Sequence, residues 1–254
     1  MRLTTLGTGT AAPSRRVNSG HLVEAGAVTL LMDCGSGVVH RMGTLGANWL
    51  GITHIAFTHF HPDHTLDLTT LIFAWRYGTL PPRSAPLTIL GPVGTAQLIE
   101  MFAAIYGDTI RDPGFPLTVR ELASGERADL GDGVVLEARK VPHTAESVAY
   151  CVERGGARLV FTGDTAFDTT LAEWAHGCDL LLCECSLPEP LAVPTHLTPA
   201  QCGVLAEVAD PGRLVLTHFY PPVEEEDIRE IISLRYSGKV MLAVDGWSTD
   251  IEER

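Results

Sequence analysis

The chain has 254 residues, 45% of them hydrophobic, and a formal net charge of −13, which is enough length and apolar content to bury a full core as one domain over residues 1–254. No apolar run approaches the roughly 20 residues a membrane-spanning helix needs, and the start "MRLTTLGTGT" lacks the basic-then-apolar plan of a secretory leader, so a soluble, cytoplasmic protein is expected. The acidic balance, with lysine only at Lys140 and Lys239, argues against an extended basic face for nucleic acid, although a small anion in a locally positive pocket stays open.

In chain order, strands are expected at 2–7, 20–25, 28–35 and 52–59, each stopped by glycine or a polar turn. A helix follows at 64–78, where Leu66, Leu68, Leu71, Ile72 and Trp75 share one face. Next come a strand at 87–91, a helix at 94–107, and strands at 117–122, 134–143, 147–153 and 158–164. The remainder alternates: helix 169–177, strand 178–185, helix 198–209, strand 213–219, helix 223–236 and strand 238–246. The acidic run Glu224 to Asp227 is placed in the first turn of the 223–236 helix, where the macrodipole favours negative charge. Two sheets packed together with helices outside satisfy this pattern. The six cysteines, Cys34, Cys151, Cys178, Cys183, Cys185 and Cys202, match neither a secreted disulfide framework nor a zinc ribbon and are read as reduced, buried thiols.

The densest chemistry lies in "THFHPDHTLD", residues 58–67. His59 and His61 are two apart, so an extended backbone points both imidazoles to one side. Pro62 keeps His61 out of the helical region, and Asp63 and His64 then fall in the first helical turn, aimed differently. This suits two metals, one taking His59 and His61, the other Asp63 and His64. Each ion needs further ligands, and His143, Asp164 and His218 all stand where an apolar strand gives way to a loop. A lone histidine at such a place is usually structural; three polar residues at comparable strand exits beside the cluster favour ligation.

The order HxHxDH, His, Asp, His resembles that of the metallo-β-lactamase superfamily over nearly the whole chain, from "LGTGTAAPS" to "AVDG". The resemblance implies a four-layer αββα sandwich, mixed α/β in class. It implies one metal on His59, His61 and His143, a second on Asp63, His64 and His218, and Asp164 bridging them. Zinc is the default ion, and the mixed imidazole and carboxylate set also accepts manganese or iron. Metallo-β-lactamases proper lack the bridging aspartate, and the quorum-quenching lactonases place tyrosine where this chain has Phe167, which cannot donate a hydrogen bond.

Within the superfamily the chain is most similar to ribonuclease Z, the tRNA 3′-processing phosphodiesterases. "LGTGTAAPSRRVNSG" resembles the N-terminal strand and loop of that group, and "LTILGPVG" its segment after the metal-cluster helix. "CECS" at 183–186 aligns Glu184 with the glutamate of the family's "HEAT", and "HLT" at 196–198 aligns His196 with the histidine of its "HST". The roles implied are a general acid at His196 oriented by Glu184. The plainer alternative is a histidine that precedes a helix capped by Thr198 beside a buried carboxyl. The chain departs from the family between His143 and Asp164, where the long arm that grips tRNA is missing.

Two divalent ions bring four positive charges and Asp63 and Asp164 remove two, so the site is expected to be cationic. A bridging water ionised near neutral pH would attack phosphorus, with Asp63 orienting it or taking its proton. The expected reaction is thus cleavage of a small or nucleotide-like phosphodiester rather than pre-tRNA; lactone, arylsulfate or thioester hydrolysis is the alternative. Arg15 and Arg16 are candidates to meet a phosphate, and Asp33 a candidate to support a ligating imidazole from behind. Relatives commonly form dimers, which makes a homodimer the expected assembly.

Overall fold

Several strands of this chain are apolar at consecutive positions rather than alternate ones, and the computed structural model, which describes residues 1–253, shows where the two sets of side chains go. The first half runs β1 (Arg2–Gly7), β2 (Gly20–Ala25), β3 (Val28–Met32), α1 (Val38–Leu45), β4 (His54–Ala56), α2 (Pro62–Thr65), α3 (Asp67–Tyr77), β5 (Leu87–Gly91), α4 (Thr95–Tyr106) and β6 (Leu117–Glu121). The second half runs β7 (Arg127–Gly131), β8 (Val134–Lys140), β9 (Val148–Arg154), β10 (Ala157–Phe161), α5 (Thr169–Trp174), β11 (Leu180–Glu184), α6 (Pro199–Ala209), β12 (Leu214–Thr217), α7 (Ile228–Ser233), β13 (Val240–Leu242) and β14 (Ser248–Asp250).

Two seven-stranded sheets result, ordered β14-β1-β2-β3-β4-β5-β6 and β13-β12-β11-β10-β9-β8-β7. In β3, Leu30 and Met32 enter the core between the sheets while Leu31 packs under the helices of the first half. In β11, Leu180 and Leu182 face the inter-sheet core and Leu181 and Cys183 the helices of the second half. Strands buried on both faces have to be apolar throughout, and the three cores they separate make the expected αββα sandwich. All six cysteines are free and buried, as expected. No helix among the described residues is long and apolar enough to cross a membrane.

Each sheet joins an antiparallel part to a parallel one. Strands β3 through β6 pair in parallel, as do β10 through β13. The carboxyl ends of these parallel strands face one edge of the sandwich, where ligands of open α/β sheets gather. There the sheets are tied together: Val148 N donates to Thr58 O at 2.9 Å, and Gly9 forms a parallel bridge with Phe219.

Four expectations need correction. The helix α1 is missing from the sequence reading because glycine punctuates it, with Gly43 inside and Gly37 and Gly46 in left-handed conformations at its two ends. The edge strands β7 and β14 are short and polar, with no apolar run to announce them. The helix expected at 223–236 contracts to Ile228–Ser233, preceded by a 3-10 helix at Pro221–Glu225. Its acidic run therefore lies before the helix: Glu224 pairs with Arg16 at 2.8 Å, and Asp227 is the N-cap, accepting from Glu230 N at 3.0 Å.

Candidate metal centre

The seven side chains expected as ligands come from four separate strand exits and meet at one edge of the sandwich. His59 follows β4, and the extended His61 (φ −61°, ψ 148°) precedes Pro62 at the start of α2. The first turn of α2 then supplies Asp63 and His64. His143 follows β8, Asp164 follows β10, and His218 follows β12 in the left-handed region (φ 60°). Close approach is built in by glycine. A Cβ at Gly35 would lie 2.0 Å from the Asp63 carbonyl oxygen, and one at Gly163 (φ 56°) would lie 2.8 Å from Thr58 Cβ.

The ligand atoms form two groups. His59 Nε2 and His61 Nδ1 are 3.0 Å apart, and His143 Nε2 lies 3.2 Å from the same His61 nitrogen. Asp164 Oδ2 stands 3.7 Å from His59 Nε2 and 3.8 Å from His143 Nε2. In the second group His64 Nε2 and His218 Nε2 are 3.3 Å apart, with Asp63 Oδ2 at 3.9 and 3.7 Å from them. Asp164 Oδ1 is 3.3 Å from both of these imidazoles, so its two oxygens serve different groups.

These spacings suit cations. Ligands about 2.1 Å from a tetrahedral zinc ion stand about 3.4 Å from each other. Three ring nitrogens converging on one point cannot all be satisfied by shared protons, and the buried Asp164 Oδ1 has no hydrogen bond of its own. His59, His61, His143 and Asp164 form one set of atoms all within 4.8 Å of one another, and Asp63, His64 and His218 form another. The residues of the two groups therefore fit divalent metal ions.

The imidazoles are also held in one tautomer. His64 Nδ1 lies 2.7 Å from Asp33 Oδ2, His143 Nδ1 2.9 Å from Thr195 O, and His59 Nδ1 3.0 Å from Thr58 Oγ1. His218 Nδ1 sits 3.0 Å from Ser186 Oγ, which itself donates to Glu184 Oε2. Acceptors behind Nδ1 put the proton there and leave the Nε2 lone pair facing the site. His61 is the reverse case, presenting Nδ1. Thr58, Ser186 and Thr195 were not singled out from sequence; Thr58 and Ser186 stand beside motif residues, and Thr195 contributes only a carbonyl, which carries no side-chain signal.

Asp33 is the buttress expected behind an imidazole. Its left-handed backbone (φ 58°) lets Oδ1 accept from Thr58 N at 2.8 Å while Oδ2 faces His64. Replacing it with asparagine (Asp33→Asn) keeps the shape and removes the charge. Zinc affinity should fall about 10- to 100-fold, read by competition with a chromogenic chelator.

Charge differs between the two groups: burial would lower the His64 imidazolium, but the charges and hydrogen bonds of Asp164 and Asp33 raise it well above its ordinary range, and a bound cation would take the place of that proton. Burial and the neighbouring His64 push the His59 imidazole down to about 2, keeping it neutral with its lone pair free. Burial opposes ionisation of Asp63, yet the hydrogen bond to His218 and the charges of His64 and His218 hold its carboxyl below the usual range. Asp164 is likewise held low against its burial, chiefly by His218 and His64.

His196 and Glu184 meet as well. His196 Nδ1 lies 3.1 and 3.2 Å from the two Glu184 oxygens, and its ring stacks 5.5 Å from that of His218 at 26°. Burial would lower the His196 imidazolium, but Glu184, through hydrogen bond and charge, and then Asp164 raise it to about 9; nearby divalent ions would pull it back down. Glu184 also accepts from Thr165 N at 2.6 Å and Leu197 N at 3.2 Å, joining the Asp164 loop to the His196 loop. The plainer local role holds too, since Thr198 caps α6 in a capping box with Gln201.

The phosphate role considered for the two arginines does not fit Arg16. Its guanidinium is held by Glu224, Thr8 Oγ1 (2.6 Å) and Ala243 O (2.7 Å), and stacks 4.5 Å over Phe219. Arg15 is exposed. Phe167 is also exposed, at the end of the Asp164 loop.

Comparison with known proteins places this arrangement. The Beta-lactamase superfamily domain matches residues 28–219. A protein named Ribonuclease Z from Mycobacterium sp. (strain KMS) is 31% identical over 273 residues, covering 96% of this chain and 94% of the relative. The crystal structure of human tRNase Z, short form, superposes with a TM-score of 0.78 at 25% identity, covering 99% of this chain and 100% of that one. The metallo-beta-lactamase fold protein YhfI from Bacillus subtilis has a TM-score of 0.84 at 21% identity, covering 98% of each chain, a likeness of fold. With two such ligand groups at the edge of two packed sheets, the chain belongs to the beta-lactamase superfamily and, within it, to the ribonuclease Z-like metal-dependent hydrolases.

Proposed function

We propose that this hydrolase cleaves small, nucleotide-like phosphodiesters in preference to pre-tRNA. The observation that carries the reading is the connection between β9 and β10, a two-residue turn of Gly155 and Gly156, both with positive φ, closed by the Arg154–Ala157 pair. The stretch from His143 to Asp164, where the tRNA-gripping arm of the family is inserted, thus holds a tight hairpin. Ribonuclease Z of Mycobacterium bovis aligns over 282 residues with all of this chain, so that relative carries residues absent here. The net charge of −13 also disfavours a long RNA track.

His59, His61, His143 and Asp164 would hold one divalent ion and Asp63, His64, His218 and Asp164 the other, with zinc the expected metal. When bound, the two ions activate water and stabilise the charge that develops on the phosphoryl oxygens. Asp63, kept ionised, is placed to take the proton of the attacking water. His196, oriented by Glu184, donates a proton to the departing alkoxide, which is a poor leaving group unless protonated. Asp33, Ser186 and Thr195 act behind the imidazoles, fixing where each lone pair points.

The test is a panel for zinc-loaded enzyme: bis-p-nitrophenyl phosphate, a cyclic nucleotide, a short pre-tRNA, a sulfate monoester, a lactone and a thioester. Turnover of the small diesters with kcat/KM well above that for pre-tRNA is expected. Efficient pre-tRNA processing would refute the substrate preference, and cleavage of lactone, sulfate or thioester without any diester would refute the phosphodiesterase reading.

A further inference from the structure

One side chain beside the metal-binding groups has no part in the roles described so far. Tyr220 follows His218 by two residues. The left-handed turn at His218 sends Phe219 into the interior, where it is 1% exposed and its N donates to Thr8 O at 3.0 Å. Tyr220 then returns to the site. Its N donates to Ser186 O at 3.2 Å and its O accepts from Val223 N at 3.1 Å, while Pro221 and Pro222 stiffen the chain after it. The backbone is fixed on both sides of a residue whose ring is only half-buried.

The ring meets the site edge-on. Its centroid lies 6.0 Å from that of His196 at 68° and 6.2 Å from that of His218 at 86°. His196, His218 and Tyr220 thus form three sides of one wall, where the Asp63–His64–His218 group adjoins the expected acid. A phosphoryl group between that ion pole and His196 would carry non-bridging oxygens in need of donors. Arg16, the arginine that reaches this side of the molecule, is already held by Glu224, Thr8 and Ala243. A phenol supplies a donor with no added charge.

We propose that the Tyr220 hydroxyl donates a hydrogen bond to a non-bridging oxygen of the bound phosphoryl group, holding it between the Asp63–His64–His218 pole and His196. The inference rests on the phosphodiesterase reading for its substrate class. The Tyr220 hydroxyl has the Thr10 side chain as a hydrogen-bonding neighbour. The ring contributes little beyond carrying the hydroxyl, since it packs edge-on and remains partly open to solvent.

Tyr220→Phe removes the hydroxyl and keeps the ring. Zinc-loaded wild type and variant would be compared by titration with inorganic phosphate, by zinc content, and by kcat and KM on bis-p-nitrophenyl phosphate. The variant should keep its zinc and bind phosphate about 10- to 100-fold more weakly, as expected for a lost hydrogen bond to a charged group. Its kcat/KM should fall by a similar factor, with the same sensitivity to leaving group as wild type. Unchanged phosphate affinity in Tyr220→Phe overturns the proposal, and so does loss of zinc, which would make the residue structural. If Tyr220→Ala alone were impaired, the ring and not the hydroxyl would matter, again against the proposal. Absence of diester turnover in wild type would count against the phosphodiesterase reading, while the phosphate titration would still judge Tyr220.

Discussion

Replacing Asp164 by alanine is expected to lower zinc content from two ions per chain to one or fewer and to reduce diester turnover about 1,000-fold or more. The size follows from its position. Oδ2 faces His59 and His143, and Oδ1 faces His64 and His218, so one side chain completes both ligand groups. Its removal also leaves the His59–His61–His143 group with no carboxylate of its own. Elemental analysis after dialysis, alongside turnover of bis-p-nitrophenyl phosphate, checks both parts. A variant that keeps two tightly bound ions and near-normal turnover would contradict the bridging role. Asp164→Asn separates charge from shape: it leaves one oxygen acceptor, so one group should be weakened more than the other.

Changing His196 to alanine should have the second largest effect, with metal content preserved. His196 touches Glu184 and stacks on His218, and Glu184 carries its orientation into the loops that hold Asp164 and Leu197. A general acid matters most where the leaving group is poor. Turnover of an alkyl or nucleoside diester should therefore fall about 100- to 10,000-fold, and that of bis-p-nitrophenyl phosphate, whose phenolate leaves readily, much less. A rate series over leaving groups reads this as a steeper dependence on leaving-group basicity in the variant. Equal losses across the series would instead assign His196 to binding or to support of the helix that follows it. Glu184→Gln should shift the series in the same direction but by less, because the histidine keeps an acceptor behind it.

The core of the site was legible because its signal is local. "HFHPDH" carries four ligand candidates in six residues, and Pro62 states where the extended chain must turn into a helix. His143, Asp164 and His218 were legible for a different reason: each stands where an apolar strand ends, and polar groups at such exits are the raw material of sites on sheets. The surroundings of Arg16 were not legible because its partners are remote in sequence. Glu224 lies 208 positions away and Ala243 227 positions away, and no local pattern marks either contact. The 223–236 helix was misread because Pro221 and Pro222 favour a tight 3-10 helix first, and because Asp227 serves as a cap.

The sequence by itself determined the composition of the site, the order of its ligands and the layered character of the fold, since residue type and strand periodicity are written one position at a time. Tertiary structure alone decided three further things. It set which oxygen of Asp164 serves which group, it placed Ser186 between His218 and Glu184, and it turned Tyr220 toward His196. Each of these depends on the distance between segments that are far apart along the chain. Such distances are fixed by how two sheets pack over a shared core, a collective outcome that no single stretch of residues encodes.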